Sequence, residues 1–214
     1  MDNRANSNRQ SLAVRHYVLV MAFAFLCISV PFFLFQMVSR ESYEAESVAA
    51  PEVSTATTTL PGMARALPTR LRIPSIHIDV PFEDPPLGLN PDKTIEAPRQ
   101  FTDVGWYQYG AAPGETGTAV VLGHVDTYQG PAVFYSLGQL KEGDEVLVDR
   151  ADGTTATFLV QELHRYSQDE FPSHLVYDPT PYPSLRLITC TGVYDHGTKR
   201  YDHNLVVFLK LKEG

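Results

Sequence analysis

The sequence predicts an all-β domain behind an N-terminal membrane helix, and three observations carry that prediction. From Leu71 onward the chain consists of short apolar stretches punctuated by Pro, Gly and Asp, with little that sustains a helical period. β-Branched and aliphatic residues gather in runs of strand length, as in TAVVLGHV (118–125), LRLITC (185–190) and NLVVFLKL (204–211). Ahead of all this, residues 17–38 form an apolar run without a single charge.

The leader comes first in the chain. Its 22 uncharged residues make about 33 Å of helix, enough to span a bilayer core. Arg4, Arg9 and Arg15 precede the run, whereas Arg40 is followed at once by Glu41, Glu44 and Glu46. This bias places residues 1–16 in the cytoplasm, residues 17–38 in the membrane and the rest outside the cell. Pro31 is tolerated in such a helix. A cleaved signal peptide is the alternative, but its apolar core is usually shorter, and the small residues Val48, Ala49 and Ala50 lie well beyond the run. Residues 39–70, rich in Ser, Thr, Ala, Glu and Pro, read as an extracytoplasmic linker that cannot bury enough surface to fold.

Residues 71–214 are the predicted folded domain. LRIPSIHIDVPF alternates through Ile73, Ile76, Ile78 and Val80 with proline breaks, as a strand near a sheet edge does. TAVVLGHV is continuously apolar, so it is expected as a central strand buried on both faces and ending at His124. PAVFYSLGQL has room for a turn or two of helix. GDEVLVDR and TTATFLVQEL flank Asp152-Gly153, a dipeptide suited to a tight hairpin turn. With LRLITC and NLVVFLKL this makes six or more strands in a β-barrel or sandwich.

Composition narrows the function. The formal net charge of −8 argues against nucleic-acid binding, which needs a concentrated basic face. Beyond residue 39 the balance is 14 basic to 24 acidic residues, so the outward part is the acidic one. Cys190 is the only cysteine outside the membrane run, where Cys27 lies, so it has no partner for an intramolecular disulfide. An unpaired thiol in an oxidising compartment is either a small buried hydrophobe or a reactive group. His124 is either a solvated strand end or the base such a thiol needs. If their strands are parallel neighbours, both side chains emerge at one rim. A zinc site built on Cys190, His124, His196, His203, Asp126 or Asp202 has no familiar ligand spacing. No cofactor is expected. Trp106, Tyr107 and Tyr109 are either core residues or the lining of a peptide groove.

LGHVDTYQGPAVFYSLGQLKEGDEV followed by LRLITCTG resembles the sortases, and the GHVD and GPAVF stretches most resemble their class F branch. The similarity covers about Leu71 to Leu211, with His before Cys as in that family. It implies a closed eight-stranded β-barrel with one or two short helices and a membrane-anchored cysteine transpeptidase. The implied substrates are secreted proteins bearing a sorting motif similar to Leu-Pro-X-Thr-Gly, and the implied acceptor is an amine of the cell wall. Carried onto this chain, Cys190 is the nucleophile and His124 the general acid and base. Sortases also carry an Arg near the start of the last strand, and here Asn204 stands at that spacing. Arg186, four residues before Cys190 on the same strand face, is the expected substitute, with Arg200 second.

Overall fold

The computed structural model describes residues 62–213. The expected membrane helix at 17–38 and most of the linker lie outside the described residues. Among the described residues no helix is long and apolar enough to cross a membrane. The fold begins before Leu71: the Met63 N–H donates to the Gly114 carbonyl at 2.8 Å and the Ala151 N–H to the Leu67 carbonyl at 2.8 Å. Residues 62–70, expected in the linker, are therefore tied into the domain.

Ten strands are present among the described residues: β1 (Pro68–Ile73), β2 (Ile78–Pro81), β3 (Gly105–Trp106), β4 (Gly117–Leu122), β5 (Asp126–Thr127), β6 (Gly130–Pro131), β7 (Glu145–Arg150), β8 (Thr155–Ser167), β9 (Pro183–Asp195) and β10 (Arg200–Leu211). Eight of them form one sheet in the order β2-β1-β7-β8-β10-β9-β4-β3, while β5 and β6 pair with each other. All pairs are antiparallel except β4 with β9. The sheet is an open, curled half-barrel rather than the closed barrel expected. Its edges, β2 and β3, are joined by one isolated bridge, Phe82 with Val104. Four and two residues are too few for a closing ladder, and Pro81, Pro85 and Pro86 supply no N–H to extend one.

Local chemistry accounts for most of these elements. The expected edge strand LRIPSIHIDVPF is in fact two, β1 and β2. Pro74 ends the first, a 3-10 turn follows at Pro74–Ile76, and His77 takes a left-handed φ of 57° that reverses the chain. The Asp152-Gly153 hairpin joins β7 to β8, with Gly153 at φ 82°. PAVFYSLGQL supplies only a 3-10 turn, Leu137–Gln139, yet Phe134 and Leu137 are fully buried. One short helix, α1 (Ser173–Tyr177), interrupts the segment between β8 and β9.

Strand parity divides the apolar residues between two faces. Ala119, Val121, Leu185, Leu187, Leu205, Val207 and Leu209 point into the main core with Trp106, Phe134 and Phe158. Val120, Ile188, Val206 and Phe208 point the other way, where Val176 of α1 and the rings of Tyr107, Tyr166 and Phe171 pack over them. This second apolar face borders the chemistry described next. Gly123, between β4 and His124, passes hard against the core: a Cβ there would stand 2.4 Å from Phe134 Cδ2. Gly123→Ala is therefore expected to destabilise by about 1–3 kcal/mol, seen as a fall of about 3–10 °C in the calorimetric Tm.

Candidate active site

β4 and β9 run parallel in register, Val120 beside Arg186 and Leu122 beside Ile188. The pairing continues one step past β4, where the Gly123 N–H donates to the Ile188 carbonyl at 3.2 Å. Two residues beyond the last paired positions come His124 on one chain and Cys190 on the other. The topology thus brings the two positions level at the same end of the sheet. Cys190 does not end its strand as expected. β9 continues to Asp195 and pairs with β10 from Arg200 onward, with a register shift between Tyr201 and His203 and Gly192 at φ 91°. The thiol therefore sits inside a strand, at the level where its neighbour β4 has stopped, below a projecting hairpin.

His124 is half-buried and held on three sides. Its Nε2 lies 2.7 Å from the Pro98 carbonyl, its ring centroid 4.7 Å from that of Phe101 with the planes at 49°, and its own carbonyl accepts from the Phe134 N–H at 2.9 Å. A carbonyl can only accept, so the Nε2 contact places a proton on that nitrogen and leaves Nδ1 for proton exchange.

Cys190 is a free, half-buried thiol. Burial pushes its pKa up, and the negative charge of Asp126 pushes it further, while the positive charge of Arg200 pulls it back. Asp126 starts β5 and accepts a hydrogen bond from the Tyr201 hydroxyl, which drives the Tyr201 pKa up to about 12. This contact ties the segment that follows His124 to the hairpin that follows Cys190. The sequence offers Asp126 beside His124 but gives no sign of Tyr201, because 75 residues separate the two. Asp126→Asn is expected to shift the pH midpoint of Cys190 alkylation by iodoacetamide downward, since it removes a charge that opposes the thiolate. An unmoved midpoint would show that this charge is already neutralised.

The two arginines differ in where their charge falls. Arg186 shares the face of Cys190, as parity predicts, but its guanidinium lies 4.5 Å over the ring of Phe208, its cross-strand partner. It has turned sideways rather than along the strand toward the thiol. Its remaining polar contact is from Nη1 to the Leu185 carbonyl at 3.2 Å. Burial lowers its pKa, and the groups that counter this are Tyr182, Glu162 and Tyr166. Arg200, at the start of β10, donates from Nη2 to Gln168 Oε1 at 2.6 Å and is exposed. Asn204 is the register partner of Cys190 on β10, so the two side chains leave the sheet on the same face.

The other residues singled out in the sequence fall elsewhere. Trp106 is 2% exposed in the core and donates from Nε1 to the Ala111 carbonyl at 3.0 Å. Tyr107 packs against the outer apolar face, with Tyr109 5.7 Å from it ring to ring. His203 lies 2.8 Å from Asp202, and His196 packs edge-on against Tyr194.

A family model described as the sortase domain matches residues 71–212. No curated protein sequence matches the chain. Among solved structures, sortase A from Corynebacterium diphtheriae, as a lid mutant, is 20% identical over 71% of this chain and 73% of that one, with a TM-score of 0.52. Sortase C-1 from Actinomyces oris is 25% identical over 69% and 76%, with a TM-score of 0.52. Sortase C1 from Streptococcus agalactiae is 21% identical over 68% and 67%, with a TM-score of 0.51. On the match across 71–212 and the shared fold, the chain belongs to the sortase family, whose members are cysteine transpeptidases.

Proposed function

We propose that this sortase is anchored by residues 17–38, cuts secreted proteins at a C-terminal motif similar to Leu-Pro-X-Thr-Gly and transfers the acyl part to an amine of the cell wall. The observation that carries the assignment is the parallel β4–β9 pairing, which sets His124 and Cys190 level at one end of the sheet. In the forward step the Cys190 thiolate attacks the Thr carbonyl. The tetrahedral oxyanion collapses, the C–N bond breaks, and His124 gives its proton to the departing Gly amine. The incoming amine then attacks the thioester, His124 takes its proton, and the Cys190 thiolate leaves. The oxyanion donors in this reading are the neutral amide of Asn204, the register partner of Cys190, and the guanidinium of Arg200 at the start of the same strand. Arg186, expected in that role, faces Phe208 instead. Placement in the class F branch rests on the GHVD and GPAVF stretches.

A second reading, a catalytically silent module that only holds peptides, is favoured by one observation. Asn204 rather than an Arg stands opposite a thiol whose pKa is raised. Incubating the protein with a fluorogenic Leu-Pro-X-Thr-Gly peptide and a glycine nucleophile separates the readings. Transfer product identified by mass spectrometry supports the transpeptidase, and binding without cleavage supports the silent module. Cleavage at a rate indifferent to added amine would make the protein a hydrolase.

A further inference from the structure

His124 and Cys190 lie past the last residues that β4 and β9 pair, so the ladder that brings them level stops short of both. Its final tie is the Gly123 N–H, which donates to the Ile188 carbonyl at 3.2 Å. Beyond that tie the chain carrying His124 leaves the sheet and turns into β5 and β6, which pair only with each other. The bonds made by His124 and Val125 lead away from β9: Nε2 to the Pro98 carbonyl, the His124 carbonyl to the Phe134 N–H, and the Val125 carbonyl to the Ala132 N–H. Among the described residues one hydrogen bond joins residues 124–131 back to β9 or β10, and it is the Tyr201 hydroxyl donating to Asp126. The Tyr201 end of this bond is braced. Tyr201 stands shortly before Asn204 on β10, and Asn204 is the register partner of Cys190. Its ring packs edge-on against that of Tyr194 across the hairpin, with centroids 5.2 Å apart. The Asp202 carboxylate accepts from the Val193 N–H at 2.8 Å, where the register shifts, and so holds the same hairpin.

We propose that Tyr201 is a positioning residue of the transfer reaction: through Asp126 it holds the segment that carries His124 at the level of Cys190, completing beyond the pair the tie that Gly123 makes before it. The inference rests on the transpeptidase reading and adds a residue to it. A segment past the end of its ladder opens locally at little cost, and a catalytic group displaced by about 1 Å can cost about 10²-fold in rate. A hydroxyl bonded to a carboxylate is about twice as strong as a neutral pair, which suits it to such a tie. The charge of Asp126 opposes the thiolate of Cys190, so on electrostatics alone the residue is a hindrance to the nucleophile. What it supplies is the bond it accepts. That bond does not involve the peptide, so its loss falls on kcat rather than KM.

The test uses the full chain in detergent and compares Tyr201→Phe, which keeps the ring, with Asp126→Ala, Asp126→Asn and the double variant Tyr201→Phe/Asp126→Ala. Proximity is read with 1,3-dibromoacetone: the Cys190 sulfur displaces one bromide, a ring nitrogen of His124 displaces the other, and the bridged peptide is counted by mass spectrometry. The count is taken per alkylated Cys190, so differences in thiol reactivity cancel. Tyr201→Phe and Asp126→Ala are each expected to lower the bridged fraction at least about threefold, and kcat for the fluorogenic Leu-Pro-X-Thr-Gly peptide about 10–100-fold with KM unchanged. Asp126→Asn keeps an oxygen that accepts from the hydroxyl, and is expected to recover most of the bridging and the kcat that Asp126→Ala loses. The double variant is expected to lose no more than the worse of its single variants. Wild-type bridging in Tyr201→Phe overturns the proposal, and so do losses that multiply in the double variant. An Asp126→Asn protein as impaired as Asp126→Ala also overturns it, because the charge and not the bond would then decide. If the wild type cleaves no peptide, the transpeptidase reading has failed, while the bridged fractions still decide whether Tyr201 holds His124 at the thiol.

Discussion

Cys190→Ala is expected to abolish peptide cleavage, a loss of about four orders of magnitude or more in kcat, as for removal of a nucleophile elsewhere. The reason is geometric as well as chemical. Cys190 is the single free thiol among the described residues, and it lies level with His124 where β4 has ended. The substitution leaves the β9 ladder unchanged, because pairing with Asn204 runs through the backbone. Circular dichroism should therefore match the wild type while no thioester can be trapped with hydroxylamine. His124→Ala is expected to lose about 10²–10⁴-fold, with alkylation of the thiol retained. Residual cleavage by Cys190→Ala at more than a few per cent would mean that another group attacks the carbonyl, and the proposed chemistry would fall.

The strands were legible where composition alone sets them. Continuous β-branched runs gave β4, the first half of β9 and the second half of β10, and a single Asp-Gly pair gave the β7–β8 turn. The positions of Cys190 and His124 were legible for the same reason, since each follows such a run. The hairpin beyond Cys190 was not. TGVYDHGTKRYDH has no apolar alternation, and its pairing is held by backbone and by the Asp202 carboxylate, which accepts from the Val193 N–H at 2.8 Å. A residue's face can be read from its parity in a strand, but its reach cannot. Arg186 fell on the predicted face, yet the ring of Phe208 from the neighbouring strand took its guanidinium, a contact no local pattern encodes. The contact of Asp126 with Tyr201 is hidden in the same way, and so is the openness of the sheet, which depends on how short its two edge strands are.

Arg200→Ala is expected to lower kcat by about 10²–10³ with little change in KM, the pattern of an oxyanion donor lost. The same variant should raise the pH midpoint of Cys190 alkylation, because it removes the positive charge that offsets burial and Asp126 at the thiol. These two readouts together separate Arg200 from Arg186. A guanidinium stacked on Phe208, about 13 Å back along the strand, makes no contact that strengthens as charge develops on the carbonyl oxygen, so Arg186 variants are expected to leave the alkylation midpoint in place. Arg200→Lys should recover the midpoint, since the charge returns, but only part of kcat, since an ammonium lacks the planar fork. If instead Arg186→Met lowers kcat and Arg200→Ala does not, the buried arginine swings toward the thiol when substrate binds, and the oxyanion role returns to it.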